Sequence, residues 1–276
     1  RYAVGKNNWK FNFLRGHGFR PLDNWGRPYG EPWDKMNFSS VMQHAGRRVR
    51  GEQGLFESLS YRLFNLFGVP TSHTHFVHFR IVAAPEEVTP NWQYGGDFWG
   101  LYLAIEEMDG NFLAEHDQPD GNLYEMKAGW GDLDNQGEGM VSDYSDLRQF
   151  MDGYRNGAAP EWWNANFDLQ GYFSYRAILE AVHDYDVDQG KNYNFFHNPS
   201  TGRWSIFPWD LDLTWSEKMF GEGAEPFRDR VLSYAGYRVE YQNRLREMRD
   251  LLWNPEQIFT MIDEYANLID TPSVGL

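Results

Sequence analysis

The chain has 276 residues, a formal net charge of -15 and no cysteine. That charge argues against a nucleic-acid partner, which needs a basic footprint, and against docking on an anionic membrane surface. The lack of Cys excludes disulfides, thiolate metal sites and a Cys nucleophile, and a 17% aromatic content with 12 Trp is incompatible with a disordered chain.

The sequence begins at Arg1 inside what reads as an element, which predicts further residues upstream. Trp9 to Phe13 alternates weakly and predicts a strand, and residues 15 to 50 carry the Gly, Pro and Trp punctuation of a long structured loop. Leu55, Leu59, Leu63 and Leu66 with Phe56, Phe64 and Phe67 recur at helical spacing before Gly68 and Pro70, so 52–67 is predicted helical. His73–Ala83 and Phe98–Glu106 read as strands, 112–116 as a short helix and Asn122–Lys127 as another strand. Residues 128–142, rich in Gly and Asp, read as a connecting loop between lobes. Helices are predicted over Ser145–Tyr154 and Phe167–His183, the second with Phe173, Ile178, Leu179 and Val182 on its buried stripe. Strands follow over 192–198 and 203–207, joined by Pro-Ser-Thr-Gly in a hairpin, and helices over 241–253 and 255–269 end the chain. Strands followed by helices predict an α+β organisation. No run of about 18 apolar residues predicts a membrane span.

Chemistry concentrates in 183–215. A long helix ends in Asp184, Asp186 and Asp188, the amide of Asn192 follows, and the hairpin returns the chain to Asp210 and Asp212. Carboxylates at a helix C-terminus oppose its dipole, which puts a functional reading level with that of a solvated helix end. The hairpin predicts that Asn192 and Asp210 meet, and an all-oxygen donor set suits a hard cation such as Mg²⁺. A calcium loop of EF-hand type does not fit, because Gly190 comes one place late and Phe195 stands where the bidentate Glu is needed. His73, His75 and His78 cannot converge on one ion from a single strand, so they read as core or surface histidines. Arg47, Arg48 and Arg50 read as a solvated run or a phosphate-contacting loop. Glu106-Glu107 reads as one buried and one exposed carboxylate, and Asp210 and Asp212 as partly buried.

Asp184-Tyr185-Asp186, Asn192-Tyr193 and Phe207-Pro208-Trp209-Asp210-Leu211-Asp212 together resemble the signature of the CotH spore-coat kinase family. Gly100–Glu106, Asp120–Tyr124 and Lys6-Asn7-Asn8-Trp9 extend a weaker similarity over most of the chain. The resemblance implies an atypical protein-kinase-like bilobal fold, a single domain with a strand-rich N-lobe (1–127) and a helical C-lobe (143–276). It implies an ATP- and Mg²⁺-dependent (or Mn²⁺-dependent) kinase acting on Ser or Thr of a surface or coat-type protein. The -15 charge would favour a basic acceptor. The resemblance makes Asp186 the catalytic base, with Asp188 the alternative because the gap from Asp186 to Asn192 is one residue longer than the family pattern has it. It makes Asn192 and Asp210 metal ligands; Asp212 reads as a second metal ligand or a structural capping group. Lys6, Glu57 and Glu106 become nucleotide-binding residues, Lys6 and Glu57 as the strand Lys and helix Glu that kinases pair. Three other readings remain open at this stage: a non-catalytic surface-binding module on the same fold, a carboxylate-pair glycoside hydrolase, and transfer of AMP in place of phosphate.

Overall fold

Alternating apolar and polar residues build the first sheet. In the strand Lys35–Ser39 (β2), Met36 and Phe38 turn inward, and it pairs antiparallel with Trp9–Asn12 (β1) and with Phe98–Glu106 (β4). Thr74–Arg80 (β3) closes the order β1-β2-β4-β3. Between β2 and β3 runs the helix Gln53–Leu66 (α1), which buries Leu59, Tyr61, Leu63 and Phe64, while Leu66 faces solvent. These features come from a computed structural model that describes residues 7–41, 53–88, 96–188, 190–219 and 225–270. Lys6 and the Arg47, Arg48, Arg50 run lie outside the described residues.

A short helix, Gly110–Glu115 (α2), is capped by the Asp109 carboxylate, which accepts from the N–H groups of Asn111 and Phe112. It leads into Asn122–Lys127 (β5), and a second antiparallel sheet follows in the order β6-β5-β7-β8, with β6 at Trp130–Asn135, β7 at Tyr193–His197 and β8 at Trp204–Pro208. Around it lie the helices Ser145–Arg155 (α3), Pro160–Asn166 (α4), Leu169–Ala181 (α5), Arg228–Val231 (α6), Ala235–Leu251 (α7) and Pro255–Asp270 (α8). The described residues thus form a mixed α+β fold with two antiparallel sheets and eight helices. None of the helices among them is long and apolar enough to cross a membrane.

Two expected loops contain strands. β2 lies inside the 15–50 stretch and β6 inside 128–142, each supplied with hydrogen bonds by an edge that the sequence does not reveal. β5 pairs with β7, so by sheet membership it belongs with the second half of the chain, and the change of sheet falls between Glu106 and Asn122. Most Trp residues serve packing, with Trp33, Trp163 and Trp204 buried.

α5 is the beam on which the site is mounted. Its buried face carries Phe173, Ile178 and Leu179, as the sequence predicts. Arg176, also buried, bonds Glu180 one turn on and lies 3.3 Å from the buried Glu225. Glu225 in turn accepts from the Tyr172 hydroxyl at 2.7 Å and from the Phe227 N–H at 2.6 Å. A buried ion pair is tolerable only when its remaining lone pairs are satisfied in this way.

Candidate active site

The end of α5 delivers the acidic cluster into a tight loop. Asp184 is fully buried, and its Oδ1 accepts the Asp186 N–H at 3.0 Å. Asp186 places Oδ1 2.9 Å from Lys191 Nζ, and its Oδ2 and its backbone carbonyl accept from Asn192 Nδ2 at 3.1 and 3.0 Å. Asp188 instead accepts the Gly190 N–H at 3.1 Å. The two candidate bases therefore differ in setting: Asp186 is tied to Asn192 and Asp188 caps its own turn. The nitrogen of Asn192 is committed to Asp186, so its oxygen is the atom left to offer a cation.

The hairpin brings Asn192 and Asp210 to the same end. Tyr193 is the register partner of Pro208, and the Trp209 N–H donates to the Asn192 carbonyl at 3.2 Å. Asn192 and Asp210 both have left-handed backbone, with φ of 67° and 55°. Asn and Asp tolerate that region better than other non-Gly residues. His183 and Trp215 share it, and Trp215 donates its N–H to the Val182 carbonyl, so the 182–185 and 213–216 segments lie side by side. Half of the described non-Gly residues with positive φ cluster here, a concentration of backbone strain of the kind found at functional sites.

Burial pushes the Asp184 carboxyl up to about 7, and Asp210, Asp186 and Asp212 push the same way. Its Oδ2 has no hydrogen-bond partner among the described residues. A buried carboxylate facing three others asks for a proton or a cation.

α1 joins this cluster to the first sheet. Ser60 Oγ bonds Thr214 Oγ1 at 2.9 Å, and Trp215 Nε1 donates to Ser60 Oγ at 3.0 Å. A cleft of about 340 Å³ lies where they meet, lined by Lys10 and Asn37 from the sheet, Glu57 and Tyr61 from α1, and Asp210 and Asp212 beyond β8. Burial drives the Tyr61 phenol well above its usual range, with Glu57, Asp210 and Asp212 adding to the effect, so Tyr61 stays a neutral donor.

Residues 52–274 match the model of a family described as CotH kinase protein. The chain belongs to the CotH kinase family. No curated protein matches it in sequence. The matched span of this CotH-family chain contains every expected site residue except Lys6, which precedes it.

The structure brings Asp186 to Asn192, and Glu57 to the cleft that Asp210 and Asp212 line. Three expectations need correction. Asp210 is exposed at the mouth of the cleft, because its left-handed turn lifts it off β8, whereas Asp212 is half-buried. Glu106 and Glu107 are both buried, since Lys10 Nζ and Asn37 Nδ2 each hold Glu107 at 2.5 Å. Glu106 turns away from the cleft, and its Oε2 lies 3.1 Å from His116 Nε2. Two residues fall outside the sequence expectation. Lys191, the partner of Asp186, is adjacent to Asn192 in sequence and was legible only as a charge. Tyr61, on α1, carries no sequence signal that singles it out.

Proposed function

We propose that this chain is a phosphotransferase of the protein-kinase-like type, moving the γ-phosphoryl group of ATP to a Ser or Thr hydroxyl of a protein. The observation that carries the reading is the shared cleft, where α1, carrying Glu57 and Tyr61, faces Asp210 and Asp212 one turn beyond the Asn192–Trp209 backbone bond. In kinases a helix Glu and a metal-binding Asp meet at the nucleotide in this way. A two-lobed division with ATP between the sheets suits the same cleft.

The donor set fits a divalent cation. Asn192, Asp210 and Asp212 offer oxygen alone, and Asp184 behind them is a buried carboxylate with an orphaned oxygen. Asn192 and Asp210 would hold Mg²⁺, with Asp212 beside them. The ion's contribution when bound is to neutralise the charge on the nucleotide phosphates and on the acidic cluster.

Asp186 is the base. Lys191 on Oδ1 and Asn192 on Oδ2 fix the plane of its carboxylate, so that it can accept the proton of an acceptor hydroxyl as the phosphoryl group arrives. Lys191, 43% exposed, is also positioned to meet the charge that develops on that group. Asp188, occupied by the Gly190 N–H, serves the turn. Lys6 would steady the phosphates, with Glu57 of α1 as the carboxylate that orients it.

Incubation with Mg-ATP and a Ser/Thr-bearing acceptor should add a phosphoryl mass to the acceptor. Asp186→Asn should lower kcat by about 10² to 10⁴-fold with nucleotide binding retained, the range for loss of a general base. Asp210→Asn should abolish Mg²⁺-dependent nucleotide binding. Transfer that survives Asp186→Asn but not Asp188→Asn would move the base to Asp188. An added mass of AMP would replace phosphoryl transfer with nucleotidyl transfer.

A further inference from the structure

On the far side of β4 from the cleft, three side chains converge from three elements. His73 stands just before β3, Glu106 is the last residue of β4 and His116 is the C-cap of α2. One donor atom from each lies within 4.8 Å of the other two. We propose that His73, Glu106 and His116 form a binding site for a divalent transition metal of the zinc class, separate from the acidic cluster of the cleft.

The donor chemistry is the first support. Two imidazoles and one carboxylate are borderline ligands suited to Zn²⁺ and its neighbours, not to Mg²⁺. Bonds of about 2.0 to 2.1 Å set tetrahedral donors roughly 3.4 Å apart, so only the wider pairs of the trio, all within 4.8 Å, must close on binding.

The orphaned atom is the second. Glu106 is 1% exposed, and its Oε2 is occupied by His116 Nε2 at 3.1 Å and by the His73 N–H at 2.9 Å. Its Oε1 is buried with no hydrogen-bond partner among the described residues. A neutral Glu–His pair accounts for Oε2 and leaves Oε1 stranded, which is costly, whereas a metal ion uses it.

The surroundings are those of a supported site. His116 is largely buried and His73 partly so. The rings stack on each other at 4.5 Å, with Tyr29 on the outer face of His73 at 4.3 Å and Phe112 against His116 at 4.4 Å. Glu115, largely buried, sets Oε1 3.7 Å from His73 Nε2 and accepts the Glu31 N–H on Oε2 at 2.6 Å. It is placed to orient His73 or to become a fourth ligand. His73 is 27% exposed and lines a cavity of about 290 Å³ with Tyr29, Arg62 and Tyr265, which gives an ion a way in.

Bound there, the metal would clamp the start of β3, the end of β4 and the end of α2. Because Ile105 lines the cleft and Glu106 follows it, such a clamp fixes one wall of the cleft without touching the nucleotide.

The test is stoichiometric. The full chain, stripped with chelator and titrated with Zn²⁺ in the presence of millimolar Mg²⁺, should retain one zinc per chain after dialysis, and its thermal midpoint should rise with zinc. Co²⁺ in its place should give visible ligand-field bands, and Cu²⁺ an electron paramagnetic resonance spectrum with coupling to two nitrogens. These readouts on the unaltered chain need no variant to fold. Glu106→Gln and His116→Ala, each checked for folding by circular dichroism, should weaken zinc by more than about 100-fold, beyond what loss of an outer partner does. Asp210→Asn should leave it unchanged. Zinc retained in Glu106→Gln and His116→Ala but lost in Asp210→Asn would place the ion in the cleft and overturn the proposal. So would a two-nitrogen signal that never forms, or zinc that dialyses away.

Discussion

Asp184 shows what a single buried group demands. Its side chain is sealed behind the loop that carries Asp186, and its carboxyl titrates near 7 because burial opposes the charge and three neighbouring carboxylates add to it. A free Asp ionises near 3.9, so the folded chain binds the extra proton between about pH 4 and pH 7. The folded state therefore loses stability relative to the unfolded as pH rises through that window. A shift of about three pH units corresponds to something on the order of 4 kcal/mol, fully expressed above pH 7. Asp184→Asn keeps an oxygen for the Asp186 N–H and removes the charge. Without divalent cations, its thermal midpoint relative to the parent chain should improve by at least about 5 °C between pH 5 and pH 8. A difference that does not change with pH would show that Asp184 is not the titrating group. The sequence offered half of this: Asp at a helix end, against the dipole, is visible in the letters. That Asp184, and not Asp186 or Asp188, takes the buried position depends on segment 213–216 lying over it, 30 residues away.

At the scale of elements, the loop between α5 and β7 is held from outside by a turn. The Gly190 carbonyl accepts the Gly129 N–H at 3.1 Å, and a Cβ built on Gly190 would stand 2.3 Å from that same nitrogen. The β5–β6 turn at Ala128–Gly129 thus presses backbone against backbone on the loop bearing Asp186 and Asn192. Gly190→Ala must push them apart, because the opposing atom is main chain and cannot rotate away. Expected is a stability loss of about 1 to 3 kcal/mol by denaturant titration, with a fall in kcat larger than that loss of folded protein explains. Full activity in Gly190→Ala would mean the turn does not position the loop. This buttress was illegible in the sequence. Residues 128–142 read as a connector because Trp-Gly-Asp-Leu-Asp-Asn has little β propensity, and β6 exists by pairing with β5. β2 was hidden in the same way: Met36 and Phe38 alternate with Lys35 and Asn37, but inside a stretch punctuated by Pro28, Gly30 and Pro32. The local elements with strong periodicity, α1, α5, β4 and the 193–208 hairpin, were legible. Adjacency was legible only where a hairpin forces it, as in the bond from the Trp209 N–H to the Asn192 carbonyl. His73, Glu106 and His116 come from three elements with no such constraint, and the sequence argument that one strand's histidines cannot share an ion gave no view of a partner on α2.

For the molecule as a whole, the deciding quantity is the net charge of -15 and where the cations are spent. Lys10 is held by Glu107, Lys191 by Asp186, Lys127 by Glu125, Arg62 by Glu264 and Arg244 by Glu247. Among the described residues the cleft lining carries Glu57, Asp210 and Asp212 against Lys10, an acidic excess. Under the proposed function a nucleotide, carrying its own negative charge, would arrive with a divalent cation, and an acceptor protein rich in Lys or Arg would be drawn in without one. Electrostatic attraction of this kind acts on encounter and is screened over about 10 Å at 0.1 M salt. Under the proposed function, the KM for a Ser/Thr acceptor flanked by basic residues should rise about tenfold or more as ionic strength goes from low to several times physiological. The KM for the same acceptor with its basic residues replaced by Gln should start high and change little, and kcat should move with neither. Equal salt sensitivity for the two acceptors would show that the field does not reach the acceptor, and that recognition rests on contacts within the cleft.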